Sequence, residues 1–278
     1  MFQDNLLAPS PPWILEALHA VHRHQALRAD QVAALAGADP STIDADLRSL
    51  CDQGLLSVVR VPRGLGSAAL DDAYLLSGMG LLALQRAGLA PPGRLPRRPR
   101  GLYTLAHDLE RNQFGVVLER LDAEGALTLE RWTTARTALG FAAHLPEKGT
   151  LVRIPLVADA FAVVTHRGRT DGLLVEIDMG SVPLARMKAK YAGYIRWWQG
   201  GGPLKRFGLR SLRVLTLAPT PARLRQLLDC AAESTGGQGS GLLWFGTLDL
   251  LSLDAPEAFL GPVWARGDAP GARQALWP

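Results

Sequence analysis

A Pro- and Arg-rich segment, residues 90–101 ("APPGRLPRRPRG"), restricts the fold more than any other stretch of the chain. It holds four prolines and four arginines. Proline removes the backbone donor that a helix needs, and arginine is too polar for a hydrophobic core. We therefore expect a stiff, basic linker. It divides the 278-residue chain into a domain of residues 1–89 and a domain of residues 102–278, and two domains are common at this length.

The segment before the linker predicts three helices and then two strands. Apolar residues recur at helical spacing in three places, which begin at Trp13, Val32 and Ile43. Gly54 ends the third helix, and residues 55–61 and 73–76 read as strands on either side of a Gly-rich turn. This order is typical of a winged helix-turn-helix domain.

Arginines on and beside this domain indicate duplex DNA as a partner, because phosphate contacts depend on positive charge. The third helix also carries Asp44 and Asp46, which are poorly suited to a DNA groove. A dimerisation or protein-docking module is therefore the alternative interpretation. The predicted DNA-binding residues are Arg48 in the third helix, Arg60 and Arg63 near the wing, and Arg94, Arg97, Arg98 and Arg100 in the linker.

The segment after the linker alternates helices and strands, which indicates an α/β (α+β) domain. A helix is expected at 105–121, strands at 126–135, 154–164 and 172–178, a helix at 183–198 and a buried strand at 212–218. The expected order is therefore αβββαβ.

Three carboxylates are predicted to share one face of this sheet. If the turn between the second and third strands spans residues 167–170, Asp159 lies opposite Asp178, and Glu176 lies on the same face. Carboxylates this close repel one another unless a cation or protons compensate. Of the basic residues on the next helix, Lys188 is the one expected to face the sheet, whereas Lys190 points further away. The alternative interpretation is structural, with the acids paired to Arg153 or Arg186.

The pattern of an Asp on the second strand and Glu-x-x on the third, in this order of helices and strands, resembles that of the PD-(D/E)XK nuclease superfamily. The resemblance implies that Asp159, Glu176 and Asp178 hold Mg²⁺ and that a lysine, here Lys188, serves the catalytic water. The sequence departs from the pattern at two positions, because Ala158 stands where the superfamily has proline and Asp178 where it has lysine.

A closer resemblance is to the replication-relaxation family of plasmid and integrated-element proteins. It is carried by "LAHDLERNQFGVVLERL", "LVADAFAVV" and "LLVEIDMGSVPLARMKAKYAGY". The resemblance implies a DNA-binding protein of a mobile element or plasmid, acting in replication, maintenance or its regulation, with a degenerate nuclease-like domain. The alternatives are an active Mg²⁺-dependent endonuclease and a non-enzymatic protein-interaction module.

The composition, 47% hydrophobic and 20% charged with a formal charge of +4, is that of a globular protein. We expect a cytoplasmic protein without membrane contact, because no apolar run approaches the roughly 20 residues of a membrane span. Cys51 and Cys230 lie in apolar helical patterns and are expected to be core residues. A homodimer, or a complex with other mobile-element proteins, is the expected assembly.

Overall fold

The computed structural model describes residues 12–63, 69–95, 101–134, 139–147 and 150–278. Helices and strands are mixed, so the α/β class predicted from the sequence is confirmed. The chain forms two compact units, residues 1–116 and 117–278. Residues 96–100, with Arg97, Arg98 and Arg100, lie outside the described residues. The predicted linker therefore stays a prediction.

The first unit follows the predicted order of three helices and a hairpin, and its assignment as a winged helix stays a prediction. A buried Asn112 amide joins its last helix to the first, donating to the carbonyls of His24 and Ala26 at 2.9 and 2.7 Å. The elements are α1 (Pro12–His24), α2 (Ala29–Ala36), α3 (Ile43–Asp52), β1 (Leu56–Pro62), β2 (Leu70–Leu76), α4 (Gly78–Arg86) and the first part of α5 (Leu102–Ala123).

The second unit is built on a seven-stranded sheet with the order β11-β10-β9-β8-β7-β6-β3, and β4 and β5 form a separate two-stranded sheet. Its strands are β3 (Thr128–Thr133), β4 (Gly140–Glu147), β5 (Thr150–Val157), β6 (Ala160–His166), β7 (Arg169–Ile177), β8 (Leu212–Ala218), β9 (Leu243–Thr247), β10 (Trp264–Arg266) and β11 (Ala269–Gln274). Its helices are α6 (Leu184–Gln199), α7 (Gly202–Phe207) and α8 (Pro221–Glu233), with 3₁₀ turns at Leu248–Leu250 and Pro256–Leu260.

The central strands β7, β8 and β9 are parallel to one another. β8 is buried along its whole length, as its continuous apolar sequence predicts for a strand covered on both faces. α6 and α8 pack against each other, and Met187, Tyr191 and Leu227 from these helices are buried in the hydrophobic core of the unit.

The structure corrects the predicted strand pairing in two ways. The segment 154–164 is not one strand, because it ends as β5 at Val157 and resumes in the main sheet as β6 at Ala160. The turn between β6 and β7 has two residues rather than four, so that His166 pairs with Arg169. Arg167 and Gly168 both have positive φ, 49° and 74°, a conformation that matches the twist of a tight hairpin.

The C-terminal strands were not expected from the sequence. β9 ends at Thr247, and β10 and β11 then complete the edge of the sheet. Among the described residues, no helix combines the length and apolarity that crossing a membrane requires.

Candidate functional site

Glu176, near the carboxyl end of β7, lies in the interior of the second unit. It is 3% exposed. Lys190 of α6 donates to its Oε2 at 2.5 Å, and the Tyr194 hydroxyl donates to its Oε1. The same Lys190 ammonium donates to the carbonyl oxygen of Val157 at 3.0 Å. One lysine on α6 therefore bonds both β7 and the end of β5.

Asp159 is the neighbour of Glu176 across the hairpin. Ala160 pairs with Val175, so the register carries Asp159 opposite Glu176 rather than opposite Asp178 as predicted. The backbone N–H of Asp159 donates to the Val175 carbonyl at 2.9 Å, and its Oδ2 accepts from the Ile177 N–H at 2.8 Å. The two-residue shift of register preserves the face, so Asp159 and Glu176 still lie on one side of the sheet.

Asp178, just beyond β7, is paired with an arginine from α8. Arg223 donates from Nε to Oδ2 at 2.7 Å and from Nη2 to Oδ1 at 3.3 Å, and Nη2 also donates to the Val182 carbonyl at 2.6 Å. The Asp178 side chain is 1% exposed and that of Arg223 is 13% exposed. Both oxygens of this buried carboxylate thus accept hydrogen bonds from one guanidinium.

Burial raises the pKa of Glu176 to about 7. The Lys190 ammonium opposes this shift and the Asp159 carboxylate adds to it. A carboxyl in such an environment holds its proton at a pH at which an exposed glutamate is ionised.

The choice of Lys188 as the basic residue beside the acids is wrong. Its ammonium donates to Glu233 of α8 at 2.9 Å, and its side chain is 46% exposed. Lys190 takes the predicted position because it lies three residues after Met187 and four before Tyr194, on the helix face that packs against the sheet. The structural interpretation of the acids predicted ion pairs of this kind, but with Arg153 and Arg186 in place of Lys190 and Arg223.

The three acids do not fit a Mg²⁺ ion as they are arranged. Within the described part of the chain, no three His, Cys, Asp or Glu side chains converge closely enough to hold a metal. The carboxylate oxygens that Mg²⁺ would take already accept hydrogen bonds: Glu176 from Lys190 and Tyr194, Asp178 from Arg223, and Asp159 from the Ile177 N–H.

In the first unit, the predicted DNA-binding arginines of α3 and the β1–β2 hairpin line one surface groove of about 810 Å³, which we call the arginine groove. Arg48 and Arg60 approach Asp72 at 2.9 and 3.5 Å, and Arg63 approaches Asp71 at 2.8 Å. These arginine side chains stay 57%, 70% and 67% exposed. Arg94 is exposed as well.

A second groove, of about 670 Å³, lies in the second unit between the β4–β5 hairpin and the end of α6 with α7. We call it the aromatic groove, because Phe141 and Trp197 form part of its wall. Its cations are Arg196, Lys205 and Arg206. Its residues come from segments that carry no shared motif, so the groove was not predictable from the sequence.

Lys190, Tyr194 and Arg223, which bind the acids, were not among the predicted site residues. The spacing of Lys190 and Tyr194, four residues apart, is a helical signal that places them together. No comparable signal links Arg223 to Asp178 across 45 residues.

No curated protein matches the chain significantly. The sequence pattern of the replication-relaxation family matches residues 18–210, more than half of the chain. The match runs from α1 to the segment just before β8, and so includes the arginine groove, the paired acids and the aromatic groove. The chain therefore belongs to the replication-relaxation family, and this membership suggests a role in the replication of a mobile element.

Proposed function

We propose that this protein binds duplex DNA of a plasmid or other mobile element through its arginine groove, in replication, maintenance or its regulation. The carrying observation is that Arg48, Arg60 and Arg63 meet in one exposed groove although they come from a helix and a hairpin. Family membership supplies the biological setting. Self-association and binding to other mobile-element proteins stay predictions.

The ion pairs of this groove orient the arginines without using all their donors. A guanidinium has five N–H donors. Arg63 gives Nε and Nη2 to Asp71, and Arg48 gives Nη2 to Asp72. The N–H groups that these acids do not bind belong to exposed side chains, so they can donate to phosphate oxygens.

The same acids limit the strength of binding. Four arginines line the groove, but so do five acids. Phosphate affinity rises with the number of counterions released by protein cations, and neighbouring carboxylates reduce that gain. The groove is thus suited to moderate, salt-sensitive binding.

The second unit, in this proposal, is a nuclease-like domain that does not cleave. Each acid of the predicted metal set accepts hydrogen bonds from the protein, and Glu176 and Asp178 are paired with Lys190 and Arg223. Buried ion pairs of this kind hold elements together, because removing one partner leaves an uncompensated charge.

The DNA proposal is tested with the triple variant Arg48→Ala, Arg60→Ala and Arg63→Ala. Binding to labelled duplexes of several sequences is measured by fluorescence anisotropy over a range of salt. The logarithm of the association constant falls with the logarithm of the salt concentration, and each lost phosphate contact makes this fall less steep by about 0.9. We therefore expect the slope to become shallower by up to ~2.7, with weaker binding to every sequence.

The control carries the same charge change outside the groove, at the exposed Arg86, Arg169 and Arg225. Equal effects in the two triple variants would mean that only the overall charge matters. Unchanged binding in the groove variant would exclude these arginines as the DNA contact.

An active endonuclease is the second candidate, and one observation favours it. Asp159, Glu176 and Lys190 lie together, which is the grouping of two acids and a lysine that the nuclease resemblance implies. We expect supercoiled plasmid to stay intact with the wild type in the presence of Mg²⁺ or Mn²⁺. Nicking that is lost in Lys190→Ala but kept in Lys188→Ala would support the endonuclease instead.

A further inference from the structure

The aromatic groove of the second unit is a concave surface assembled by close packing. α6 approaches β5 at Gly193, where a side-chain carbon would lie 3.0 Å from Leu156. α7 begins at Gly202, where a side-chain carbon would lie 2.2 Å from the Trp197 ring. The two glycines therefore allow the helices to close on the hairpin and on Trp197, and the groove is a fixed part of the fold.

The charge of this groove is positive. Arg196, Lys205 and Arg206 are exposed, and none of the described residues that line the groove is an Asp or Glu. Lys205 donates to the Gly200 carbonyl at 2.9 Å. Three positive charges are thus gathered here in a chain whose formal net charge is +4.

Aromatic rings stand among these cations. Phe141 and Trp197 have ring centroids 4.2 Å apart and are half-buried, so part of each ring faces the groove. The Arg206 guanidinium lies 5.9 Å from the centre of the Phe141 ring and 5.7 Å from that of Phe207. Such contacts hold an arginine over an aromatic surface and pre-orient its donors.

We propose that the aromatic groove binds a single-stranded nucleic acid segment, with Arg196, Lys205 and Arg206 on the phosphates and Phe141 and Trp197 against unstacked bases. Positive grooves lined with aromatic rings recognise single strands in this way, because every base offers a face for stacking. The bases of a duplex are already stacked on one another, so the rings add nothing to duplex binding. The inference does not depend on the arginine groove, whose occupant is a duplex.

The experiment uses the full chain and a labelled oligothymidylate of about 16 nucleotides, the upper site size of single-strand modules. Affinity is measured by fluorescence anisotropy over a range of salt. In Arg196→Ala with Lys205→Ala, we expect binding to weaken about tenfold. The negative slope of the logarithm of the association constant against log salt should become shallower by about 1.4, since a single-strand contact contributes about 0.7. Arg169→Ala with Arg225→Ala is the matched control, at exposed positions outside the groove.

Phe141→Leu separates stacking from charge. Losing one aromatic platform weakens single-strand binding by roughly five- to 150-fold, the range that corresponds to 1–3 kcal/mol per stacked base, while the salt slope stays unchanged. Circular dichroism melting establishes that each variant is folded. If Phe141→Leu melts early, Phe141→Tyr, which keeps the ring, is expected to bind like the wild type.

Three outcomes overturn the proposal. The first is a wild type that does not bind oligothymidylate, and the second is equal loss in the groove and control variants. The third is binding of polyglutamate or of anionic vesicles with the same affinity and no effect of Phe141→Leu, which would reveal a general anion surface. The triple variant of the arginine groove, measured on duplex, reports on the proposed function separately.

Discussion

Two Arg–Asp pairs in this protein have the same chemistry but very different surroundings. Arg223 and Asp178 meet at 2.7 Å in the second unit, with side chains that are 13% and 1% exposed. Arg48 and Asp72 meet at 2.9 Å in the first unit, with side chains that are 57% and 19% exposed. The distances are nearly equal, so distance does not distinguish their roles.

Burial decides what each pair does. In the interior, separating the charges leaves one of them without water or a partner. Breaking a buried pair therefore destabilises the folded state. At the surface, water solvates both charges and the pair contributes little to stability. An exposed arginine can therefore exchange its carboxylate for a phosphate, whereas a buried one holds its strand and helix in register. Three substitutions test this contrast.

The largest effect is expected from Arg223→Ala. The substitution leaves the Asp178 carboxylate buried without its cation, and breaking a buried pair costs about 3–5 kcal/mol of unfolding free energy. Urea denaturation measures the loss. Arg225→Ala, on the exposed side of the same helix, is the control and is expected to change little. A loss below ~1 kcal/mol in Arg223→Ala would mean that burial does not set the value of the pair.

Glu176→Gln is expected to change how stability depends on pH. The pKa of this carboxyl rises from 4.5 to about 7 on folding, chiefly through burial. Between these values the folded state binds more protons than the unfolded state, so stability falls as the pH rises through this window. Glutamine does not titrate, so the unfolding free energy of the variant should not show this decrease with pH.

Thermal or urea unfolding measured from about pH 4.5 to above pH 7 provides the test. Glu233→Gln removes a glutamate whose side chain is 62% exposed, and it should leave the profile as in the wild type. Identical profiles in the wild type and Glu176→Gln would show that Glu176 titrates like an exposed glutamate.

The smallest effect on stability is expected from Asp72→Asn. The exposed pairs with Arg48 and Arg60 contribute less than ~1 kcal/mol, so unfolding should barely change. Duplex binding should instead strengthen, because a negative charge leaves the arginine groove. Asp52→Asn, exposed and outside that groove, removes the same charge elsewhere. Weaker duplex binding in Asp72→Asn would mean that orienting the arginines matters more than their net charge.

The sequence was sufficient for elements with a strong local pattern. The predicted bounds of β8 are those of the structure, and the predicted helix at 183–198 differs from α6 by one residue at each end. The common face of Asp159 and Glu176 was also predictable, because alternation along a strand fixes the face. The register was not, since a two-residue turn at Arg167 and Gly168 and a four-residue turn preserve the same alternation.

Partners of the acids depend on packing that the sequence does not encode locally. Lys188 and Lys190 differ by two positions on α6, and the way the helix lies on the sheet determines which one reaches Glu176. Arg223 reaches Asp178 only because α8 packs beside α6. The break at Ala158, which sends β5 and β6 into different sheets, follows Pro155 by three residues. A proline inside a predicted strand favours an edge position or an interruption, so part of this break was predictable.

Lys190 connects the two sheets of the second unit through hydrogen bonds. Its single ammonium group holds the last carbonyl of β5 and the Glu176 carboxylate of β7 at once. Lys190 therefore joins the main sheet to the β4–β5 hairpin, which forms one wall of the aromatic groove. Protonation of Glu176 removes the charge attraction at one end of this link, so the strength of the link depends on pH.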